Sequence, residues 1–274
     1  MGHRAFGGHR AARDEQSRRG LRSALSESCM KSFLRVVAAL LMAVLCHGLF
    51  ALAVGSMAIC LAGGLQEGFG RLPSGWAWVA NLALLLQFPI LHSTLLSRKG
   101  RGWLQRLSPV GHGRTLAPST YVAIGSLQLL LTFWLWTPSG EVWHSPSGIS
   151  GALQYALFAA AWLFLVKALW DSGLGLQSGA IGWWALLRGR AAVYGDLPTG
   201  GLFRACRQPI YLGFALVLWT APSWSADWLL LTVGWTIYCV VGPRFKELRW
   251  EAIYGARFRA YRATVPYFLP RLRR

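Results

Sequence analysis

The chain has 274 residues, of which 54% are hydrophobic and only 14% are charged. Its 28 Lys and Arg residues against 10 Asp and Glu residues give a formal net charge of +18. Soluble domains carry about a quarter charged residues, and the apolar content excludes a disordered chain. A nucleic-acid-binding protein can be this basic but would not be this apolar, so no nucleic-acid partner is expected. A membrane protein with basic loops on one side explains both properties.

The first 30 residues precede any apolar segment. They are rich in Gly, Arg, His and Ala and have no apolar period, which predicts a disordered basic tail over residues 1–30. A cleaved signal peptide is the competing interpretation, because Lys31 and Arg35 precede an apolar stretch that contains Ala51 and Ala53. The stretch continues well beyond these alanines, which favours an uncleaved membrane span. Residues 31–274 are then predicted to be one membrane domain.

Six apolar segments follow the tail. A helix needs about 20 apolar residues to cross a hydrocarbon core of roughly 30 Å. Pro209 and Pro222 bracket the fifth segment and Pro243 follows the sixth, which predicts a tight helical hairpin that ends at Gly242. The fold class is therefore an all-α, polytopic integral membrane protein. The segments are 33–65, 76–96, 121–136, 152–170, 210–221 and 228–242.

The basic residues alternate between the loops. Of the 28 Lys and Arg residues, 26 lie in the N-terminal tail, two alternate loops and the C-terminal tail. Arg71 lies in the other loops, and Lys167 lies near the end of the fourth segment. The positive-inside rule places the basic side in the cytoplasm. We therefore expect a multi-pass protein of the cell inner membrane, surrounded by membrane lipids, with both termini cytoplasmic.

The motifs of common soluble enzymes and metal sites are missing. The five cysteines include no C-x-x-C pair, and neither H-E-x-x-H nor G-x-S-x-G occurs. No metal site is expected from these patterns. The apolar segments contain almost no acidic residues, which argues against a proton-coupled transporter.

A series of motifs occupies the last third of the chain. The first motif opens the hairpin, the second follows it, and the third lies close behind the second. The three motifs are Arg207-Gln208-Pro209-Ile210-Tyr211-Leu212-Gly213, then Lys246-Glu247-Leu248-Arg249-Trp250, then Phe258, Tyr261 and Val265-Pro266.

In order and spacing this series resembles the isoprenylcysteine carboxyl methyltransferase superfamily. Upstream features extend the resemblance over about residues 76–270. They include His92 at the end of the second segment and Tyr121 at the start of the third. The chain is most similar to the bacterial methanethiol S-methyltransferase branch and its NnrU-like neighbours.

The resemblance implies S-adenosylmethionine as methyl donor and a small thiol as acceptor, with methanethiol giving dimethyl sulfide as the favoured example. Methyl transfer from a sulfonium needs positioning, desolvation and deprotonation of the acceptor. The donor-binding part is expected at about residues 170–274. Catalytic roles are assigned to Arg207, Glu247 and His92. The residues expected at the donor are Arg207, Gln208, Pro209, Tyr211, Leu212, Gly213, Glu247 and Tyr261.

Each of these assignments has a plainer alternative. Arg207 can be an ordinary anchor on the basic side, and Glu247 can pair with its helix neighbours. Tyr261 can simply pack, and His92 can be a satisfied polar residue at the membrane boundary. At the level of function, the alternatives are a lipophilic acceptor, such as an isoprenylcysteine or lipid carboxylate, and a non-catalytic NnrU-like membrane protein.

Two positions depart from the superfamily pattern. The residue before the proline is histidine in that pattern and Gln208 here, and the first acid of its acidic pair is Lys246 here. Gln208 keeps hydrogen-bonding capacity but does not titrate. Lys246 reverses the charge next to Glu247.

Overall fold

A computed structural model describes residues 5–109 and 111–270 of the protein. The ends of the two predicted basic tails, residues 1–4 and 271–274, lie outside the described residues. Most of the described chain is helical. The only strand pairing in this part joins β1 (Val142–His144) and β2 (Trp224–Ser225) in antiparallel register. The helices are α1 (Ala5–Ala62), α2 (Ser74–Leu95), α3 (Arg98–Leu107), α4 (Gly113–Leu135), α5 (Gly148–Asp171), α6 (Leu174–Gln177), α7 (Ala180–Leu187), α8 (Pro209–Trp219), α9 (Ala226–Tyr254) and α10 (Ala256–Thr264).

Five of these helices, namely α1, α2, α4, α5 and α9, are long and apolar enough to cross a membrane. The shorter apolar helix α8 has 11 residues, about 16 Å at the rise of an α-helix, and cannot cross alone. It packs against α5 and α9. The predicted all-α, polytopic membrane fold is confirmed, and α8 with α9 forms the predicted hairpin.

The N-terminal helix is longer than the sequence predicts. α1 starts at Ala5, whereas residues 1–30 were predicted to be a disordered tail. All side chains over residues 18–34 are exposed. This part contains three Arg and three Leu residues beside four Ser residues, and Arg and Leu extend a helix readily once the apolar span has nucleated it. The division of the chain at residue 30 stays a prediction.

The last long helix does not end where the proline predicts. α9 continues through Pro243 to Tyr254, whereas the sequence predicts an end at Gly242. A proline inside a helix removes one backbone hydrogen bond and costs about 3 kcal/mol. The turns beyond Pro243 are held by tertiary bonds to Glu247, which offset that cost.

The apolar core lies toward the end of the bundle opposite the basic loops. α4 packs against α1, α2, α3 and α7, and α5 packs against α8. Outer faces of the spanning helices stay apolar, as lipid contact requires. The core residues are Met57, Cys60, Leu61, Leu65, Leu85, Phe133, Trp136, Phe158, Ala161, Leu165, Val217, Leu218, Ala221, Trp228, Leu231 and Trp235.

A buried carboxylate closes this end of the bundle. Asp227 in the first turn of α9 accepts hydrogen bonds from Trp136 Nε1 at 3.0 Å and from Ser139 N at 2.8 Å. Gln66 Nε2 donates to the same carboxylate at 3.0 Å. The loops after α1 and α4 are thus tied to the start of α9. Because these bonds satisfy the carboxylate, it has an evident structural role.

Candidate active site

The motif residues meet at the basic end of the hairpin. A short 3-10 helix, Gly201–Arg204, leads into this region. Asp171 at the end of α5 accepts a hydrogen bond from Leu202 N at 2.8 Å and forms an ion pair with Lys167. These bonds fix the chain just before α8. Pro209 then starts α8, where a missing N–H costs nothing.

A buried ion pair joins the two ends of the hairpin. Arg207 Nε donates to Glu247 Oε1 at 2.8 Å, and the terminal NH2 nitrogen donates to Glu247 Oε2 at 3.3 Å. Arg207 is 8% exposed and Glu247 is 9% exposed. Two parallel bonds of this kind are the strong, geometrically specific form of an Arg–carboxylate pair. They connect the residue two places before α8 to the far part of α9.

The same guanidinium holds the C-terminal segment. Its NH1 nitrogen donates to the carbonyl oxygens of Arg262 at 3.1 Å and Val265 at 2.6 Å. The backbone N–H of Arg207 donates to Pro266 O at 2.9 Å. The Tyr267 ring lies 5.4 Å from the guanidinium carbon. The segment after α10 is therefore folded over the ion pair and excludes water from it.

Gln208 completes this polar cluster. Its side chain is fully buried, and Nε2 donates to Glu247 Oε1 at 2.7 Å. That bond orients the amide, so that Oε1 points away from the carboxylate. Gln208 Oε1 is buried and has no hydrogen-bond partner in the structure. A buried, unpartnered acceptor is costly, and a ligand N–H or O–H would satisfy it.

Lys246 lies beside the cluster and contacts aromatic rings. Its Nζ is 4.4 Å from the centre of the Trp250 ring and 5.2 Å from the centre of the Tyr211 ring. Both distances are within the range of a cation–π interaction. The residue is half-buried. Tyr211, expected at the donor, is thus placed next to the reversed charge of the motif.

The other residues of the first motif face the protein interior. Pro209 and Leu212 are buried in the packed start of α8. A Cβ atom at Gly213 would lie 3.0 Å from Leu165 Cα, so the glycine permits close packing of α8 on α5. In this structure Gly213 contacts α5 and affects the site only through the packing of α8.

Tyr261 and Cys206 lie in the same basic layer. The Tyr261 hydroxyl donates to Phe203 O at 2.7 Å, which fastens α10 to the 3-10 helix. Burial raises the pKa of the Tyr261 phenol and also raises the pKa of the Cys206 thiol. Since burial disfavours the charged form, both groups stay protonated. Cys206 is therefore not an activated nucleophile, although it precedes Arg207.

His92 lies in a separate aromatic cluster between α2 and α4. Its Nε2 and the Tyr121 hydroxyl are 2.6 Å apart, and the Phe88 ring stacks on the imidazole at 4.8 Å. His92 Nδ1 is buried without a hydrogen-bond partner. Phe88 also contacts Tyr238, which in turn contacts Tyr211. A continuous row of rings thus connects His92 to the hairpin.

Several residues of the site were not singled out by the sequence. Tyr238 and Tyr267 carry no motif signal and resemble the many interfacial aromatics of the chain. The carbonyl groups that bind Arg207 belong to the backbone of residues 262 and 265, where the side chain gives no indication. In the sequence, Tyr121 marks only the start of the third segment, and its bond to His92 requires α2 and α4 to be adjacent.

The fold and the site together define an α-helical integral membrane protein with a buried polar centre at one end of a C-terminal helical hairpin. The chain is 32% identical over 206 residues to methanethiol S-methyltransferase 2 of Bradyrhizobium diazoefficiens, covering 72% of this chain and 75% of the relative. It is 31% identical over 203 residues to the methanethiol S-methyltransferase of Mycobacterium tuberculosis, covering 72% and 80%. The chain belongs to the methanethiol S-methyltransferase family and is a methyltransferase.

A more distant similarity extends beyond these bacterial enzymes. The chain is 28% identical over 173 residues to Nurim of Mus musculus, which covers 59% of this chain and 63% of the relative. No family model and no solved structure matches the chain. The predicted relationship to the methanethiol S-methyltransferase branch is confirmed by the enzymes named above.

The ion pair makes a specific prediction for the C-terminal segment. The Arg207→Lys variant keeps the charge but lacks the planar fork that reaches Glu247 and two carbonyl groups at once. We expect amide hydrogen exchange over residues 256–266 to accelerate by roughly tenfold or more, the equivalent of one lost hydrogen bond. Exchange measured by mass spectrometry in detergent tests this. Arg190→Lys, at an exposed position, is the control. Unchanged exchange in Arg207→Lys would contradict the arrangement.

Proposed function

We propose that the protein transfers a methyl group from S-adenosylmethionine to methanethiol and so forms dimethyl sulfide. The observation that carries this proposal is the buried Arg207–Gln208–Glu247 cluster, which lies in a chain about 30% identical to methanethiol S-methyltransferases over 72% of its length. The cluster combines charge, hydrogen-bonding capacity and exclusion of water beside apolar helices. These are the requirements of a polar donor and a small, apolar acceptor.

The residues present suit the donor. S-adenosylmethionine, when bound, supplies a methyl group that its sulfonium already activates. Gln208 Oε1 is a buried acceptor without a partner. It suits the ammonium group or a ribose hydroxyl of the donor. Tyr211 presents an aromatic face at the same place, and the segment over Arg207 keeps water out.

The acceptor needs a group that removes its proton. We assign this role to His92. The Tyr121 hydroxyl also lies 3.4 Å from His92 O, which fits the tautomer in which Nε2–H donates to Tyr121 and Nδ1 carries a free lone pair. A Cβ atom at Gly125 would lie 3.3 Å from Nδ1, so the glycine lets α4 pack closely beside this buried nitrogen. His92 Nδ1 can then hold the proton that leaves the thiol.

Purified protein in detergent gives the direct test of the proposed reaction. With S-adenosylmethionine and methanethiol, we expect dimethyl sulfide in the headspace, measured by gas chromatography. Glu247→Ala leaves Arg207 buried without its carboxylate, which destabilises the folded site by about 3–5 kcal/mol. We therefore expect turnover to fall by at least about a hundredfold. Arg101→Ala, at an exposed position, is the control. If wild-type protein binds the donor but methylates an isoprenylcysteine and leaves methanethiol unchanged, the acceptor is wrong.

His92 has its own test. The His92→Phe variant keeps the ring stacking on Phe88 but removes both nitrogens. Loss of a general base lowers turnover by about 10² to 10⁴-fold, whereas binding of the donor should stay unchanged because His92 lies apart from the Arg207 cluster. Calorimetry of donor binding and the headspace assay separate the two effects. Equal loss of donor binding and turnover would indicate a structural role for His92 and refute the assignment.

The charge distribution supports a location in the inner membrane with both termini in the cytoplasm, since 26 of the 28 basic residues lie on one side. Cysteine labelling of intact cells with a membrane-impermeant maleimide tests this orientation. Glu141→Cys, in the loop before β1, should be labelled from outside. Arg190→Cys, in the loop after α7, should be labelled only after the membrane is permeabilised. Both positions are exposed, and the reverse pattern would overturn the orientation.

A further inference from the structure

The positive charge of Arg207 is already satisfied within the chain. A guanidinium has five N–H donors. Four of them bind Glu247, Arg262 O and Val265 O. The carboxylate of Glu247 neutralises the charge, and both of its oxygens accept bonds from Arg207 or Gln208. Arg207 is thus organised to hold the chain together, and a second anion would compete with Glu247 for it.

Lys246 is the neighbouring basic residue, and its ammonium group forms no direct ion pair with any described residue. Its ammonium group faces the rings of Tyr211 and Trp250. Within the described part of the chain, no carboxylate forms an ion pair with it. Glu247 is adjacent in sequence, but successive residues on a helix point in directions about 100° apart, and its carboxylate is bonded elsewhere.

Aromatic rings satisfy such a cation only in part. Cation–π contacts stabilise a lysine by about 0.5–2 kcal/mol, and the rings accept no full hydrogen bond from its three N–H groups. A partly buried ammonium group in this state favours an anion as a further partner. The polar donor carries one such group, its α-carboxylate.

We propose that Lys246 binds the α-carboxylate of S-adenosylmethionine. This inference rests on the function proposed above. Lys246 provides the positive charge, while the unpartnered Gln208 Oε1 provides an acceptor for the ammonium end of the same amino-acid group. A cation and a free acceptor thus suit the two ends of a zwitterion. The cationic residue of the site that recognises the ligand is Lys246, and Arg207 is a positioning residue.

A chemical double-mutant cycle tests the contact without relying on turnover. Isothermal titration calorimetry in detergent measures the binding of S-adenosylhomocysteine, which has the same carboxylate, and of its decarboxylated derivative. We expect Lys246→Met to weaken binding of S-adenosylhomocysteine by roughly tenfold to a hundredfold, the range for a hydrogen bond to a charged group. Binding of the decarboxylated ligand should not change. Lys246→Arg should restore most of the affinity, and Lys99→Met, an exposed lysine, serves as control.

The outcomes separate this inference from the proposed function. If Lys246→Met weakens both ligands equally, the residue acts through packing and the inference is wrong. If it weakens neither, the carboxylate binds elsewhere and the inference is also wrong, while the proposed function stands. If wild-type protein binds neither ligand, the proposed function and the inference fail together. Matching thermal unfolding midpoints of the variants confirm that a loss of binding does not reflect unfolding.

Discussion

The buried ion pair between Arg207 and Glu247 is the interaction on which the basic end of the protein depends. One guanidinium joins the turn before α8, the far part of α9 and the segment after α10. These parts lie outside the main apolar core, which is toward the opposite end, and a smaller apolar cluster of Leu197, Phe258 and Tyr261 packs beside the pair. A buried pair of this kind stabilises only if its remaining hydrogen bonds are satisfied. The two backbone carbonyls and Gln208 meet that requirement.

This arrangement changes the meaning of the two departures from the superfamily pattern. A glutamine at position 208 can donate to Glu247 and still present a free acceptor, so it extends the ion pair without adding a charge. A lysine at position 246 would be poorly placed if it had to share Glu247 with Arg207. It instead lies over two aromatic rings. The Arg207–Glu247 pair therefore has a structural role, whereas Lys246 is the residue that we propose binds a ligand.

At each end of the bundle, a buried carboxylate accepts hydrogen bonds from separate parts of the chain. At the end away from the basic loops, the carboxylate of Asp227 accepts three hydrogen bonds from the loops after α1 and α4, and every bond is internal. At the basic end, Gln208 Oε1 and His92 Nδ1 are buried without partners. Unpartnered polar atoms cost stability. Thr137 Oγ1 at the other end is also unpartnered, so Gln208 Oε1 and His92 Nδ1 indicate a ligand because they belong to residues that carry the family resemblance.

The sequence by itself determined the membrane class, the number of apolar segments, the hairpin and the family, because these depend on composition, on segment length and on residues at fixed spacing. It did not predict that α9 continues through Pro243 or that α1 starts at Ala5, since tertiary bonds and an adjoining stable span override local signals. It assigned Arg207 and Glu247 to the site but could not show that they bind each other. Only the tertiary structure decided that Arg207 pairs with Glu247 while Lys246 forms no ion pair in the described part of the chain. Arg207 and Glu247 are 40 residues apart along the chain and meet only when the hairpin has folded.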